Sequence, residues 1–171
     1  LLGSPEAILR LDLARQIMGA LSEISCSPFA STDNLMSQMR KWLRQHPLGI
    51  VVHAAAVGDY QTPPHPGKIV SGQAELLLRL HPTPNILNQL RMWSDRIFLI
   101  SFKAAAPDTS PDSLVQIAAD QLRRSGSNVV FANIIGQISR GNCIHNGARA
   151  RFFEDRTDAL SHLMEIIRAQ G

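Results

Sequence analysis

The sequence predicts an α/β fold, in which helices cover both faces of a doubly wound, mostly parallel β-sheet with a small hairpin or lid insertion. Three near-continuous apolar runs, at 49–56, 96–102 and 128–134, are typical of strands buried on both faces. Helical patterns separate the last two runs, as crossovers between parallel strands require. The chain has 171 residues, 44% of them hydrophobic, which is enough for one sizeable core. We therefore expect a single domain over 1–171.

Capping residues and apolar faces predict the first two helices. The end of a strand at 1–3 is followed by Ser4, an N-cap, and apolar residues near helical spacing continue to Leu21. A second helix is predicted after the capping residues 31–33, and Pro47 ends it. The chain thus starts in mid-fold, and we expect the rest of this strand to precede it.

The run 49–56 is the predicted central strand, and the segment after it is the predicted lid. Three prolines lie between 59 and 67, so this segment is a predicted loop. The stretches 68–70 and 75–80 are separated by turn-forming residues and predict a hairpin. We expect the loop and the hairpin to lie beside the strand end.

Helices and strands alternate through the second half of the chain. Helices are predicted over 84–93 and 110–124 from their capping residues and first-turn prolines. A turn-rich stretch at 136–147 and a strand at 148–153 follow, and Thr157 is the predicted cap of the last helix. This order is that of a Rossmann-like fold, in which ligands bind at the carboxyl ends of strands.

Composition favours a small ligand over nucleic acid or a membrane. The 17 basic residues exceed the 14 acidic ones by three and are scattered, and only 5% of residues are aromatic. Nucleic-acid binding is not predicted, because it needs basic patches with interleaved aromatic residues. Apolar runs fall far short of the roughly 20 residues of a membrane span, and no secretory signal opens the chain. We expect a cytoplasmic protein.

Metal sites and familiar phosphate loops are not predicted. Cys26 and Cys143 are too few for a disulfide framework and lack metal-ligand spacing. His53, on a buried strand, is more typical of a hydrogen-bonded core residue than of a ligand or a base. A Walker loop, a serine-hydrolase motif and a complete dinucleotide fingerprint are all absent from the sequence.

Small and polar residues cluster where the predicted strands end, at 53–60, 101–104 and 132–133. Small residues let a ligand approach the backbone, whose amides can recognise a base or a phosphate. Asp59 could accept a hydrogen bond from a sugar hydroxyl or help to hold Mg²⁺. With about equal weight, the alanines pack helix against sheet and Asp59 caps a loop.

Two further segments could bind an anion. Lys68 lies on the predicted lid, where its ammonium could close over a phosphate, although a loop lysine is usually solvated. The stretch 83–86 begins a predicted helix, whose free amides and dipole attract anions, or it is an ordinary cap.

Five short motifs, in this order, resemble the phosphopantothenoylcysteine synthetase domain of the DNA/pantothenate metabolism flavoprotein family. They are Ala55-Ala56-Val57-Gly58-Asp59, Lys68-Ile69, Pro84-Asn85-Ile86, Ser101-Phe102 and Ala132-Asn133-Ile134. The resemblance covers essentially the whole chain, and the order and spacing of the motifs are more specific than any one of them.

The resemblance implies nucleotide-dependent ligation of 4'-phosphopantothenate to cysteine, through an acyl-nucleotidylate, in coenzyme A biosynthesis. It further implies the use of CTP or ATP with Mg²⁺, and a homodimer. The family's first strand and glycine-rich loop are expected to precede Leu1. Carried over by position, Lys68 is the catalytic residue on the phosphates, and Asn133 binds substrate. The implied nucleotide contacts are His53, Ala54, Ala55, Asp59, Lys68, Pro84, Asn85, Ile86, Leu87 and Phe102.

Two alternatives stay open at this stage. Gln121 and Ser125 stand where the family has nucleotide-binding lysines, and Val70 and Ser71 stand where the lid has its further lysines. These differences favour a diverged, inactive relative that serves as a nucleotide-binding or oligomerisation module. A nicotinamide-dependent reductase is the second alternative, and it requires a glycine fingerprint before Leu1.

Overall fold

A computed structural model of the chain describes residues 19, 24–63, 67–69, 71–72, 74–137 and 142–170. The chain divides into two units, 1–31 and 32–171. In the first unit Gly19 is helical, and 24–29 has no regular secondary structure. The predicted strand end at 1–3 and the start of the first predicted helix lie outside the described residues.

The second unit alternates strands and helices along most of its length. Its helices are α1 (Thr32–Gln45), α2 (Leu87–Trp93), α3 (Pro111–Ser125) and α4 (Arg156–Arg168). Its strands are β1 (Ile50–His53), β2 (Tyr60–Gln61), β3 (His81–Pro82), β4 (Phe98–Ala105), β5 (Val129–Ile134), β6 (Asn142–His145) and β7 (Ala150–Phe153). None of the described helices is long and apolar enough to cross a membrane.

Five strands form one mixed sheet in the order β1-β4-β5-β6-β7. The first three run parallel, with Val52 opposite Ile100 and Ile100 opposite Val129, while β6 and β7 extend the sheet antiparallel. A separate two-stranded pair joins β2 to β3, with Tyr60 opposite Pro82. The predicted α/β fold is confirmed.

The alternation of side chains along β5 accounts for the layers around the sheet. Val129 and Phe131 pack in one core cluster with residues of α4, while Val130 and Ala132 pack in another with residues of α3. Alternate strand residues point to opposite faces, so α3 and α4 cover opposite faces. A third cluster joins α1 and α2 to β1 and β4 around Leu99. Both faces of β5 are thus buried, as the apolar run predicted.

Two predictions about the first strand and the lid are wrong. In the described part of the sheet β5 is the central strand, whereas β1 lies at an edge with Val52 48% exposed, so 49–56 is not central among the described strands. Residues 75–80 form no strand, and Leu77 is 93% exposed, so the predicted hairpin is not formed. A two-stranded hairpin is marginal without a packed face, and these leucines have none.

One predicted helix start shifts along the chain and another is as predicted. Helix α2 begins at Leu87, three residues after Pro84, and Asn85 Oδ1 accepts a hydrogen bond from the Asn88 amide of its first turn at 3.1 Å. In contrast, α3 begins as predicted after Ser110, whose hydroxyl accepts from the Ser113 amide at 3.2 Å.

The cap of the last helix is Asp155 and not Thr157. One oxygen of the Asp155 carboxylate accepts from the amides of Thr157 and Asp158, at 2.6 and 3.2 Å. The hydroxyl of Thr157, together with these two amides, holds the pKa of Asp155 below its ordinary value, because hydrogen bonds to the carboxylate favour its ionised form. The turn-rich stretch before this helix also contains β6, a buried strand that the prediction missed.

Candidate functional site

A cavity of about 600 Å³ lies at the carboxyl ends of β1 and β4. Parallel strands bring their carboxyl ends to the same edge of a sheet, so the predicted strand-end clusters meet here. Its described lining consists of residues 53–59, 83–87, 102–104, Gln121, Arg124 and Asn133. The volume is within the range of small-molecule sites.

Ten of the eleven predicted site residues line this cavity. They are His53, Ala54, Ala55, Asp59, Pro84, Asn85, Ile86, Leu87, Phe102 and Asn133. The exception is Lys68, which is exposed and is not among the described lining residues. The structure therefore brings together the predicted set apart from its lid residue, while the role of each residue stays a prediction.

The exit of β1 forms one wall of the cavity. His53 is half-buried, and burial lowers the pKa of its imidazole, so the ring is neutral at pH 7. The imidazole ring of His53 makes no hydrogen bond with the described residues, so either ring nitrogen can form one with a ligand. Residues 54–58 follow without regular structure, and their small side chains leave the backbone accessible.

A backbone hydrogen bond joins this wall to the next. The carbonyl of Asp59 accepts from the Thr83 amide at 2.8 Å, beside the β2–β3 pair. The Asp59 side chain is exposed, and it is the carboxylate in the described lining. Thr83 Oγ1 is buried and has no hydrogen-bond partner among the described residues. The 53–59 and 83–87 walls are thus tied together where the lid begins.

The 83–87 wall offers a ligand its first residues rather than its last. Ile86 and Leu87 are 2% and 8% exposed and belong to the core cluster around Leu99. Pro84 and Asn85 are exposed, and Asn85 already holds the first turn of α2 through its side-chain oxygen. A ligand could therefore contact only the small exposed part of Ile86 and Leu87.

The α3 wall is fixed to β4 by a buried ring of hydrogen bonds. Gln121, only 5% exposed, donates from Nε2 to Ser101 Oγ at 3.0 Å and to the Phe102 carbonyl at 3.1 Å. The hydroxyls of Ser101 and Ser127 lie 2.8 Å apart, and those of Ser127 and Ser125 lie 2.7 Å apart. Ser125 Oγ then donates to the Gln121 carbonyl at 2.7 Å, which closes the ring.

This ring determines how Gln121 faces the cavity. Since the Phe102 carbonyl can only accept, the atom of Gln121 beside it must be the nitrogen, and a flipped amide would lose this hydrogen bond. Gln121 and Ser125 occupy the two positions at which the resemblance implied lysines. Both are held in a neutral network, so neither supplies charge to the cavity.

Sequence reasoning missed two cations of the site. Lys103 is half-buried near the end of β4, and Arg124 lies about one turn after Gln121 on α3. Both residues line the cavity. Only the helical spacing of Arg124 from Gln121 could have indicated that they share a face. In the described part of the chain, three or more His, Cys, Asp or Glu side chains never gather as a metal site would require.

The chain matches the family model of the DNA/pantothenate metabolism flavoprotein C-terminal domain over residues 14–159. It is 33% identical over 106 residues to the coenzyme A biosynthesis bifunctional protein CoaBC of Thermococcus kodakarensis, covering 61% of this chain and 26% of that protein. It is 40% identical over 91 residues to phosphopantothenate–cysteine ligase 2 of Oryza sativa subsp. japonica, covering 50% and 27%. The matched part spans about a quarter of these curated relatives.

Solved structures share the fold. The DNA/pantothenate metabolism flavoprotein from Streptococcus pneumoniae superposes with a TM-score of 0.75 and 23% identity, over 86% of this chain and 73% of that one. A Cab2 mutant in complex with phosphopantothenate-cysteine superposes with a TM-score of 0.70 and 16% identity, over 98% and 60%. At these identities the likeness supports the fold alone.

Proposed function

Because the chain belongs to the family of the DNA/pantothenate metabolism flavoprotein C-terminal domain, we propose that it is the nucleotide-binding part of a phosphopantothenate–cysteine ligase of coenzyme A biosynthesis. In this reaction CTP or ATP activates the carboxylate of 4'-phosphopantothenate as an acyl-nucleotidylate and pyrophosphate leaves. The amine of cysteine then displaces the nucleoside monophosphate and an amide forms.

The observation that carries this proposal is the cavity at the carboxyl ends of β1 and β4. Its position is that of ligand sites in doubly wound folds, and its volume of about 600 Å³ accommodates a nucleotide. Accessible backbone at 54–58 offers amides to a base or a phosphate, and neutral His53 can exchange a hydrogen bond with a sugar hydroxyl.

Asp59 is the residue that could hold a Mg²⁺ ion bound to the phosphates of the nucleotide. Magnesium usually keeps several waters and binds one or two carboxylates together with substrate phosphates, so a single carboxylate at the cavity wall is enough. When bound, Mg²⁺ would screen the charge that develops on the leaving pyrophosphate. The exposed Asp59 side chain can reach such a complex without breaking a hydrogen bond, since only its backbone carbonyl is engaged.

Lys68 is the proposed catalytic residue of the lid. It lies outside the cavity lining, in a segment that follows the two-residue strand β2. A lysine that closes over the phosphates when the nucleotide binds would stabilise the charge of the transferring group. Asn133, near the end of β5, lines the same cavity and is the proposed substrate-binding residue, since its amide can both donate and accept hydrogen bonds.

Titration calorimetry on the full-length protein tests nucleotide binding, with CTP and with ATP in the presence of Mg²⁺. Pyrophosphate release that depends on phosphopantothenate tests the first step, and amide formation with cysteine tests the second. Failure to bind either nucleotide would contradict the ligase and favour the inactive relative.

The Lys68→Ala variant tests the lid. We expect lower turnover with an unchanged melting temperature, because the side chain is exposed and makes no described contact in the core. Lys41→Ala is the matched control, since Lys41 is an exposed lysine on α1 away from the cavity. Equal turnover in both variants would remove Lys68 from the mechanism.

A homodimer in the cytoplasm remains part of the proposal, and light scattering measures the oligomeric state.

A further inference from the structure

Two cations on one wall of the cavity have no counter-charge. Lys103 and Arg124 line the cavity, and the side chain of neither makes a hydrogen bond or an ion pair with any residue that the structure describes. Lys103 is half-buried, while Arg124 is exposed. Two cationic side chains that line one cavity without an anionic partner leave their donors available to a bound anion.

The ionisable groups of the cavity leave it positive. The described lining holds Asp59 as its carboxylate, and burial keeps His53 neutral by lowering its pKa. Lys103 and Arg124 therefore outweigh Asp59 by one positive charge. A concave wall of one sign raises the local concentration of ligands of the opposite sign.

The ring around Gln121 holds together the two elements that carry these cations. Gln121 ties α3 to β4 through its bonds to Ser101 Oγ and the Phe102 carbonyl, at 3.0 and 3.1 Å. Lys103 lies two residues after Ser101 and so shares its face of the sheet. Arg124 lies one helical turn after Gln121. The two cations thus belong to elements, β4 and α3, that are held together beside the cavity they both line.

We propose that Lys103 and Arg124 together bind a phosphoryl group of the ligand. A guanidinium presents two parallel N–H donors to phosphate oxygens, and an ammonium adds a point charge. The inference rests on the proposed function, in which the nucleotide and phosphopantothenate both carry phosphate. It assigns to these side chains the charge that Gln121 and Ser125 do not supply.

Calorimetry with matched pairs of ligands tests the proposal on the full-length protein. Cytidine triphosphate is compared with cytidine, and phosphopantothenate with pantothenate, for the wild type, Lys103→Gln and Arg124→Gln. We expect each variant to bind one phosphorylated ligand about tenfold or more weakly, with little change for its unphosphorylated partner. Arg123→Gln is the control, because Arg123 is exposed, pairs with Asp120 and lies outside the cavity lining.

The affected ligand identifies which phosphate the two cations bind. Loss confined to the nucleotide supports its triphosphate, and loss confined to phosphopantothenate supports its phosphate. The wild type adds a test without mutation, since added salt should weaken the phosphorylated ligand more than its partner. Unchanged affinities in both variants, with the wild type binding normally, would overturn this inference alone. A wild type that binds no nucleotide would overturn the proposed function as well.

Discussion

Replacing Arg91 with methionine should destabilise the protein without weakening the cavity. Arg91 lies in the last turn of α2, and its guanidinium donates to three carbonyls, those of Gly126, Asp95 and Ile97, at 2.7, 2.8 and 2.7 Å. Its fourth bond goes to Asn128 Oδ1, which also accepts from the Leu99 amide at 2.8 Å. The side chain therefore joins α2 to the end of α3 and to the starts of β4 and β5.

The size of the effect follows from these four hydrogen bonds. Burial lowers the pKa of Arg91, but a guanidinium stays charged at any physiological pH. Only the bond to the Ile97 carbonyl is partly buried, so a typical net value of roughly 0.5–1.5 kcal/mol per bond gives a loss of about 3 kcal/mol in unfolding free energy. For a protein of this size that corresponds to a decrease of about 6–12 °C in melting temperature.

Urea unfolding followed by circular dichroism measures this loss, and calorimetry at low temperature measures nucleotide affinity. Arg96→Met is the control, because Arg96 is exposed and makes no hydrogen bond with the described residues. The affinity should not change, since the cavity lies at the opposite ends of the strands. A midpoint for the Arg91 variant equal to that of the control would refute the reasoning.

Three further predictions concern stability, pH and thiol reactivity. Gly126→Ala should destabilise by about 1–2 kcal/mol in urea unfolding, because Gly126 has φ +65° and an added Cβ would lie 3.0 Å from Arg91 Cγ; an unchanged midpoint would contradict this. Burial lowers the pKa of His53 from its ordinary 6.5, so the unfolded chain binds the proton more readily than the folded one. The free energy of unfolding should therefore fall as the pH drops below 6.5, and it should fall less in His53→Asn. Parallel curves of stability against pH would show that His53 is not the cause. Burial raises the pKa of the Cys143 thiol to about 11. In the Cys26→Ser variant Cys143 should therefore react slowly with Ellman's reagent until the protein is denatured, whereas in Cys143→Ala the exposed Cys26 should react at once. Equal rates in the two variants would be inconsistent with a buried Cys143.

The elements that the sequence predicted well are those whose signal is local. Ser110 and the proline after it start α3, and the apolar run at 128–134 is a strand buried on both faces. The convergence of the strand-end clusters was predictable too, because parallel strands share one carboxyl edge. The family prediction, built on the order of the motifs, is confirmed by the match over 14–159.

Long-range packing decided what the sequence could not predict. The runs 49–56 and 128–134 look alike as apolar segments, yet only the second is covered on both faces by described residues. Strand β6 lies in a turn-rich stretch, and it is a strand because β5 and β7 pair with it on both sides. Likewise, the cap of α4 depends on which side chain, Asp155 or Thr157, reaches the free amides.

The side chains around Gln121 bear directly on the alternative of an inactive relative. That alternative rested on the absence of lysine from positions 121 and 125 and from positions 70 and 71 of the lid, taken as a loss of charge from the phosphate site. The residues at 121 and 125 form a neutral ring with Ser101 and Ser127, while Lys103 and Arg124 place two cations along the same cavity. Positive charge is therefore present on this wall from different residues, and the absence of two lysines is no longer an argument against phosphate binding. The choice between the enzyme and an inactive nucleotide-binding module depends on whether bound nucleotide leads to pyrophosphate release with phosphopantothenate and to amide formation with cysteine.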